Sequence, residues 1–278
     1  MTQHTQSRAF ALPLVLAVIV IASILVAAVL TRHTGQSALT QRSIDRYKEH
    51  HAFKGVEEAV SSWLTRTTRI TDAIDYDNDG HAFDIELPSG ERLSVYFEDA
   101  QGEVLGRFSG LADTDLDDAA TTVDNLRRTA HNDAPRFLRT EGPMAISIAS
   151  AEPQVLRAAC LTLLSPVNAS ALADELEAMQ HNGDVTPESL NAALDSANVP
   201  QEDRARAARL LTTEPVLFRV WVDALPKGSD QPSVTYKGLC LASGGRGGAR
   251  TATTVTRNSA FLSWERVVND TDPRTMPR

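Results

Sequence analysis

The segment with the clearest chemical pattern is DYDNDGHAFDIE, residues 75–86, in which carboxylates alternate ahead of a glycine. Its spacing matches that of a calcium loop, where alternate carboxylates turn inward, glycine permits a sharp bend and a final glutamate binds in bidentate fashion. The ligands would be Asp75, Asp77, Asp79 and Glu86. The alternative is a polar turn that leads into a strand, which the apolar residue at the ninth position favours. The rest of the sequence indicates no other cofactor.

The two cysteines, Cys160 and Cys240, both lie far beyond the apolar start of the chain. If that part of the chain is exported, a disulfide between them is permitted. Two buried free thiols, which pack as small apolar side chains, are the alternative. The sequence contains no pair of cysteines with metal or redox spacing and no recognisable nucleophile motif. We therefore expect a protein that is not an enzyme.

The net charge of the chain limits the classes of molecule that it is expected to bind. The chain has 278 residues and a net charge of −9. A nucleic-acid binder needs a basic face to meet phosphates, so the acidic balance argues against this class. Its hydrophobic content of 42% is sufficient for one or two domains, each with a buried core.

An uncharged, apolar run extends from Phe10 to Leu30. A helix of about 20 residues crosses the hydrocarbon core of a bilayer, whereas the apolar part of a secretory signal peptide is only about 7–15 residues long. The run therefore predicts a retained transmembrane helix over residues 10–30. More basic residues follow the run than precede it, which on its own favours a cytoplasmic location for the rest of the chain.

The remaining patterns predict an α+β domain that contains a helical insert. Three- and four-residue apolar spacings continue the first helix over residues 31–74. Apolar alternation on both sides of the turn PSGE predicts a β-hairpin, and residues 111–132 have a helical pattern. Further helices are expected where Pro153, Pro187 and Pro200 begin polar-apolar segments, and Asn168 or Ser170 could cap a helix between them.

Strand patterns return after this helical cluster. The predicted boundaries are residues 75–152 and 213–268 for the α+β domain, 153–212 for the helical insert and 269–278 for a disordered tail.

The N-terminus resembles that of type IV prepilin-like proteins, in which a short polar leader precedes a hydrophobic helix. Here the leader would be MTQHTQSRA, residues 1–9. The resemblance implies cleavage between Ala9 and Phe10 and methylation of Phe10 at the new N-terminus. Ala9 stands where glycine is usual, and Leu14 stands where most major pilins carry glutamate.

The absence of that glutamate is typical of one branch, the minor pseudopilin K family of type II secretion systems. Three later segments also resemble this family, at the start of its helical insert, at the strand after the insert and at its closing strand. In chain order they are SPVNASALADELEAM, RLLTTEPVLFRVWVDA and FLSWERV.

The resemblance implies a long transmembrane helix that continues into a pilin-like antiparallel sheet domain with a helical insert. It implies a subunit at the tip of a short pseudopilus that helps to initiate filament assembly and protein export. The chain would cross the bacterial inner membrane once, with most of its residues in the periplasm. Its partners would be the minor pseudopilins of the I and J types, the major pseudopilin, the prepilin peptidase and the inner-membrane secretion platform.

The alternative is a single-pass, membrane-anchored binding protein of the cell envelope. This alternative predicts an uncut N-terminus and a first helix that ends near Gly35. A membrane-anchored hydrolase would need converging acid, base or metal-binding residues, which the sequence does not indicate.

Overall fold

The computed structural model describes residues 11–67, 70–75, 79–242 and 261–267. These ranges contain six α-helices and nine β-strands. The helices are α1 Ala11–Arg66, α2 Asp113–Ala130, α3 Pro153–Leu163, α4 Pro166–Asn182, α5 Pro187–Ser196 and α6 Gln201–Leu210. The strands are β1 His81–Glu86, β2 Arg92–Asp99, β3 Val104–Leu105, β4 Leu138–Arg139, β5 Ile146–Ser147, β6 Leu211–Thr212, β7 Leu217–Leu225, β8 Val234–Leu241 and β9 Phe261–Val267.

The first helix, α1, has 56 residues and continues through Gly35 and Gly55. It ends at Arg66, before the predicted limit at residue 74. The chain divides into two compact units, Met1–Val56 and Glu57–Arg278. Within the described residues of the first unit, apolar side chains on α1 are largely exposed, among them Leu16, Ile19, Val20, Ile21, Ile24, Leu25, Val26, Val29 and Leu30. None of the helices in the described ranges combines the length and the hydropathy that a membrane crossing requires.

Five antiparallel strands form the sheet of the second unit, in the order β1-β2-β7-β8-β9. The last turns of α1 pack on one face of this sheet. Trp63 stacks on Phe83 and Phe97, with ring centroids 4.5 and 5.2 Å apart. Val60 and Leu64, on the same turns of the helix, are at most 1% exposed. The predicted α+β class and antiparallel hairpin are confirmed.

A glycine in β8 makes room for an aromatic ring on the same face. Phe97, Val220, Gly238 and Trp264 are successive partners across four strands, so they lie in one row. A β-carbon at Gly238 would lie 2.5 Å from Cε3 of Trp264 and 2.8 Å from the ring of Phe261. Glycine at position 238 is therefore required for the rings of Trp264 and Phe261 to lie against β8.

The helices α2 to α6 lie between two strands that are neighbours in the sheet. Asp99, the last residue of β2, pairs with Phe218 of β7, and the amide of Ala100 donates to the carbonyl of Leu217 at 3.1 Å. The chain between Ala100 and Leu217 thus leaves the sheet and returns to it at one place. We call this segment, residues 100–216, the insert.

The insert has a hydrophobic core of its own, which draws its buried residues from Val104 to Leu211. This core includes α2, whereas the sequence-based boundary at residue 152 places α2 with the sheet. Before α3, the chain forms only the two-residue strand Ile146–Ser147, which pairs in parallel with β6. Residues 148–150 then form a turn.

Three helices of the insert, α3, α4 and α5, begin with proline, whose fixed φ angle suits the first helical position. Pro153 and Pro187 occupy first-turn positions, and Thr186 forms a capping box with Ser189. Pro200 is instead the N-cap of α6. The predicted caps at Asn168 and Ser170 are wrong, because α4 already begins at Pro166.

Candidate functional site

The residues of the predicted processing site lie outside the described ranges. Ala9 and Phe10 precede the first described residue, and nothing is described of the side chain of Leu14. Cleavage between Ala9 and Phe10 and methylation of Phe10 stay predictions.

The described part of the predicted calcium loop includes a turn at residues 79–80, but the last ligand lies elsewhere. The amide of Asp75 donates to the carbonyl of His81 at 2.8 Å, and Asp79 adopts a positive φ of 51°. Asp77 is outside the described ranges. Glu86 ends β1, five residues beyond His81, and a strand rises about 3.3 Å per residue, or about 16 Å in all.

Calcium holds its oxygen ligands at about 2.3–2.6 Å, so Glu86 cannot share an ion with the aspartates of the turn. This corrects the four-residue ligand set. In the described ranges, no group of three or more histidine, cysteine or acidic side chains is placed to hold a metal ion.

The two thiols are both free and lie in different parts of the second unit. Cys160 is in α3, within the core of the insert, and Cys240 is in β8, opposite Phe218. The predicted Cys160–Cys240 disulfide is therefore not formed. Burial raises the pKa of each thiol to about 12, with a small further effect of Glu177 on Cys160. Both cysteines act as apolar core residues.

Three polar residues on the other face of the sheet are close enough to suggest acid–base chemistry. His81 Nε2 lies 3.0 Å from Oδ1 of Asp84, and Ser94 also forms a hydrogen bond with Asp84. The carboxylate therefore lies between the hydroxyl and the imidazole. A nucleophilic serine requires the imidazole in that middle position, where it can accept the hydroxyl proton. This arrangement orients side chains rather than activating Ser94, which is 2% exposed.

A cluster of buried and part-buried polar side chains lies where the insert meets the sheet. We call it the polar joint and define it as Asp99, Gln101, Arg139 and Ser147. Gln101 is 1% exposed, and its Nε2 donates to the carbonyl of Ala145 at 2.9 Å.

On the other side, Oε1 of Gln101 accepts from the amides of Val216 at 2.8 Å and Leu217 at 3.1 Å. One side-chain amide thus connects a loop of the insert to the start of β7.

Arg139 immobilises the same loop. Its guanidinium donates to the carbonyls of Glu103 at 2.9 Å, Glu141 at 3.0 Å and Ala145 at 3.1 Å, and also to that of Pro143. Ala145 therefore accepts from both Gln101 and Arg139. Burial lowers the pKa of Arg139 to about 10, an effect partly offset by negative charge on Glu103 and Asp99. The side chain stays charged at neutral pH.

Asp99 completes the polar joint at the end of β2. Its carboxylate accepts hydrogen bonds from the hydroxyl of Ser147 and from the amide of Gln101, the latter at 2.8 Å. Burial raises the pKa of this carboxyl, although the hydrogen bonds and the charge of Arg139 act in the opposite direction. No sequence pattern singled out these four residues, because a polar residue at a strand end, in a turn or in a two-residue strand produces no periodic signal. The one available indication is that Asp99 ends an alternating strand.

Comparisons with known proteins find similarity at the level of structure. No protein-family model matches the chain, and no curated protein matches it. Among solved structures, the chain is similar to a chain in the crystal structure of the GspK-GspI-GspJ complex from the type 2 secretion system of enterotoxigenic Escherichia coli. The match covers 82% of this chain and 99% of that chain, with 10% sequence identity and a TM-score of 0.43. At that identity and TM-score, the similarity by itself assigns neither a fold nor a function.

Proposed function

We propose that this chain is a minor pseudopilin of the K class, which acts at the tip of a type II secretion pseudopilus. The observation that carries the proposal is the arrangement of α1, which runs unbroken for 56 residues and ends against an antiparallel sheet. Between neighbouring strands of that sheet, the chain adds a helical insert with its own core. A long stem helix, a sheet and a helical cap are the parts that the sequence resemblance implies.

The order of the parts suits a subunit that adds a cap to a filament. In this role α1 provides the stem, and the exposed apolar side chains on its first turns need neighbours to cover them. We infer that those neighbours are lipid before assembly and the helices of other pseudopilins afterwards. The partners of the I and J types, the major pseudopilin and the secretion platform follow from the same resemblance.

Location in the bacterial inner membrane, with the second unit in the periplasm, is part of the proposal. It rests on the uncharged run from Phe10 to Leu30 and on the prepilin-like leader before it. Processing by a prepilin peptidase requires the leader to face the cytoplasm, so the remainder of the chain crosses to the other side.

The alternative, a membrane-anchored binding protein, predicts a helix that ends near Gly35. The helix instead continues for a further 31 residues, to Arg66, without a break. This continuity favours the pseudopilin over the anchored binding protein.

Coexpression with a prepilin peptidase tests the proposal. Mass spectrometry of the purified chain is expected to find a mature N-terminus at Phe10 with one added methyl group. A matched control is Ala9→Val, whose larger side chain at the cleavage position should leave the leader attached. An unmodified chain that still begins at Met1 after coexpression with active peptidase would refute the processing step and with it the pseudopilin proposal.

Calcium binding at the turn is proposed only for Asp75, Asp77 and Asp79, without Glu86. A ligand that binds only the native state raises the melting temperature. Titration of the full-length chain with millimolar calcium should therefore raise its melting temperature, and Asp79→Asn should weaken that response. An unchanged melting temperature would establish a plain polar turn.

A further inference from the structure

We propose that the polar joint fixes the orientation of the insert on the sheet, so that the insert and the sheet move as one rigid body. The proposed rigidity is a property of the second unit and holds whether or not the chain is a pseudopilin. The insert is attached to the sheet through its two ends, which are adjacent at Ala100 and Leu217. Two adjacent connections act as a single hinge, around which the insert could swing unless other contacts prevent it.

The hydrophobic core of the insert does not provide those contacts. The buried cluster at the centre of the insert draws its members from residues 104 to 211 and takes none from the five strands of the sheet. The sheet has its own apolar face against α1, where Phe97 and Trp63 stack. The insert and the sheet are therefore packed around separate cores. Apolar contacts are also poorly directional, and two surfaces held only by them can rotate.

Hydrogen bonds, by contrast, restrict both distance and angle. Gln101 uses three of its hydrogen-bonding positions at once, one toward the loop at Ala145 and two toward the amides of Val216, which ends the insert, and Leu217, which begins β7. A rotation of the insert would break these bonds in a site with 1% exposure, where water cannot easily replace them. Satisfied buried networks of this kind stabilise one arrangement over its alternatives.

The other members of the polar joint form further bonds that oppose rotation of the insert relative to the sheet. Ser147 donates through its hydroxyl to Asp99 of the sheet, and its amide donates to the carbonyl of Gln101 at 3.0 Å. At the rim, Arg219 of β7 lies 3.4 Å from Glu103 of the insert. Because Arg139 holds the loop of Ala145 by three of its carbonyls, that of Ala145 among them, the acceptor of Gln101 is itself fixed. The polar joint therefore contacts the sheet at the end of β2 and at the start of β7.

Distances between spin labels on the two parts test this inference in the full-length chain. Ser170 on α4 and Ser263 on β9 are exposed and can be replaced by cysteine for labelling. The native cysteines are buried with pKa values of about 12, so they should not react at pH 7.5. The unmodified polar joint should produce one narrow distance distribution between the labels.

Gln101→Ala should broaden that distribution at least twofold while circular dichroism shows an unchanged helix content. The matched control is Gln180→Ala, which also removes a side-chain amide with two carbonyl acceptors. Those acceptors, Ile148 and Ala151, both belong to the insert, so the control should weaken the insert without freeing it from the sheet. Its label distance should keep the original width.

A second variant is needed in case Gln101→Ala does not fold. Ser147→Ala removes a single hydroxyl donor from the polar joint and leaves the backbone bonds in place, so it should fold and broaden the distribution to a smaller extent. If every folded variant of the polar joint kept the width of the label distance distribution found with the native polar joint, the inference would be overturned. Equal broadening by Gln180→Ala would also overturn it, since general destabilisation would then explain the motion.

Discussion

Arg206→Ala should destabilise the second unit more than its position near the surface suggests. Asp118 of α2 has a side chain that is 6% exposed, and Nε and Nη2 of Arg206 approach its Oδ1 at 2.7 and 2.6 Å. The hydrogen bond with Asp118 raises the pKa of Arg206, in keeping with a favourable pair. Without Arg206, the nearest remaining cation is Arg209, whose Nη2 lies 3.8 Å from Oδ2 of Asp118.

The magnitude depends on how far this pair is buried. Removal of one partner from a buried ion pair costs about 3–5 kcal/mol, because the other charge is left without compensation. The side chain of Arg206 is 34% exposed, so water already screens the pair and Arg209 compensates in part. We therefore expect a loss of about 2 kcal/mol in the free energy of unfolding. For a unit of this size, that loss corresponds to a fall of about 4–8 °C in melting temperature.

Urea unfolding of the wild type, Arg206→Ala, Asp118→Ala and the double variant measures the coupling between the two residues. The exposed pair of Arg127 and Asp124 on α2 supplies the control. Its atoms lie 3.3 Å apart, but its side chains are 65% and 61% exposed, so Arg127→Ala should cost about 0–1 kcal/mol.

If the two single losses at Arg206 and Asp118 add up in the double variant to within about 0.5 kcal/mol, the pair is not coupled and the reasoning fails. If Arg127→Ala lowered the free energy of unfolding as much as Arg206→Ala, the reasoning would also fail, because burial of the pair would then not determine the loss.

Three further predictions concern other parts of the second unit. Cys160 and Cys240 should react with a thiol reagent at pH 8 only after unfolding, when both should be modified, as mass spectrometry can show. Gly238→Ala should lower the free energy of unfolding by about 1–3 kcal/mol and change tryptophan fluorescence, because the new β-carbon would meet the ring of Trp264. Asp99→Asn should melt at or above the wild-type temperature at pH 7. Burial raises the folded-state pKa of Asp99, so its ionised form destabilises the fold above that pKa, and the advantage of the variant should shrink as pH falls toward about 4.

Each of these predictions has a clear contrary result. A thiol that reacts in the native protein would show that one of the cysteines is accessible. As a control for Gly238→Ala, the new β-carbon of Gly55→Ala would meet no atom within 4 Å, and this variant should stabilise α1 by about 0.5–1 kcal/mol. If both variants instead lowered the free energy of unfolding equally, the aromatic contact at Gly238 would have no role. A variant Asp99→Asn that is less stable than wild type at pH 7 would show that the charge itself holds the polar joint together.

Local signals in the sequence predicted local structure well. Alternation at Phe83 and Ile85, and again at Val95 and Phe97, led to the hairpin of β1 and β2. Pro187, preceded by Thr186, marked the start of α5. These signals work because they depend on side-chain alternation and on backbone geometry within a few residues.

Contacts between distant residues were not predictable in the same way. In the sheet, β2 pairs with β7 and not with β3, the next strand in the chain. This pairing depends on how the insert folds. Arg139 ends the two-residue strand β4, which is too short for a periodic pattern, and only the structure shows that four carbonyls surround it. The Cys160–Cys240 disulfide was predicted from the presence of two cysteines and the expected export of this part of the chain. Spacing along a chain contains no information on whether two thiols meet.

The place where the insert leaves and rejoins the sheet also has a consequence for the order of folding. If the chain from Ala100 to Val216 were unstructured, closing it so that Asp99 could meet Phe218 would cost about 4 kcal/mol in entropy. The helices of the insert pack mainly on the next helix in the chain, α2 on α3 and α3 on α4, and their core takes no residue from the five strands of the sheet. Once that core exists, its two ends are already side by side. The helices are therefore expected to fold first. The strands β2 and β7 are expected to pair afterwards, when the folded insert already holds them close together.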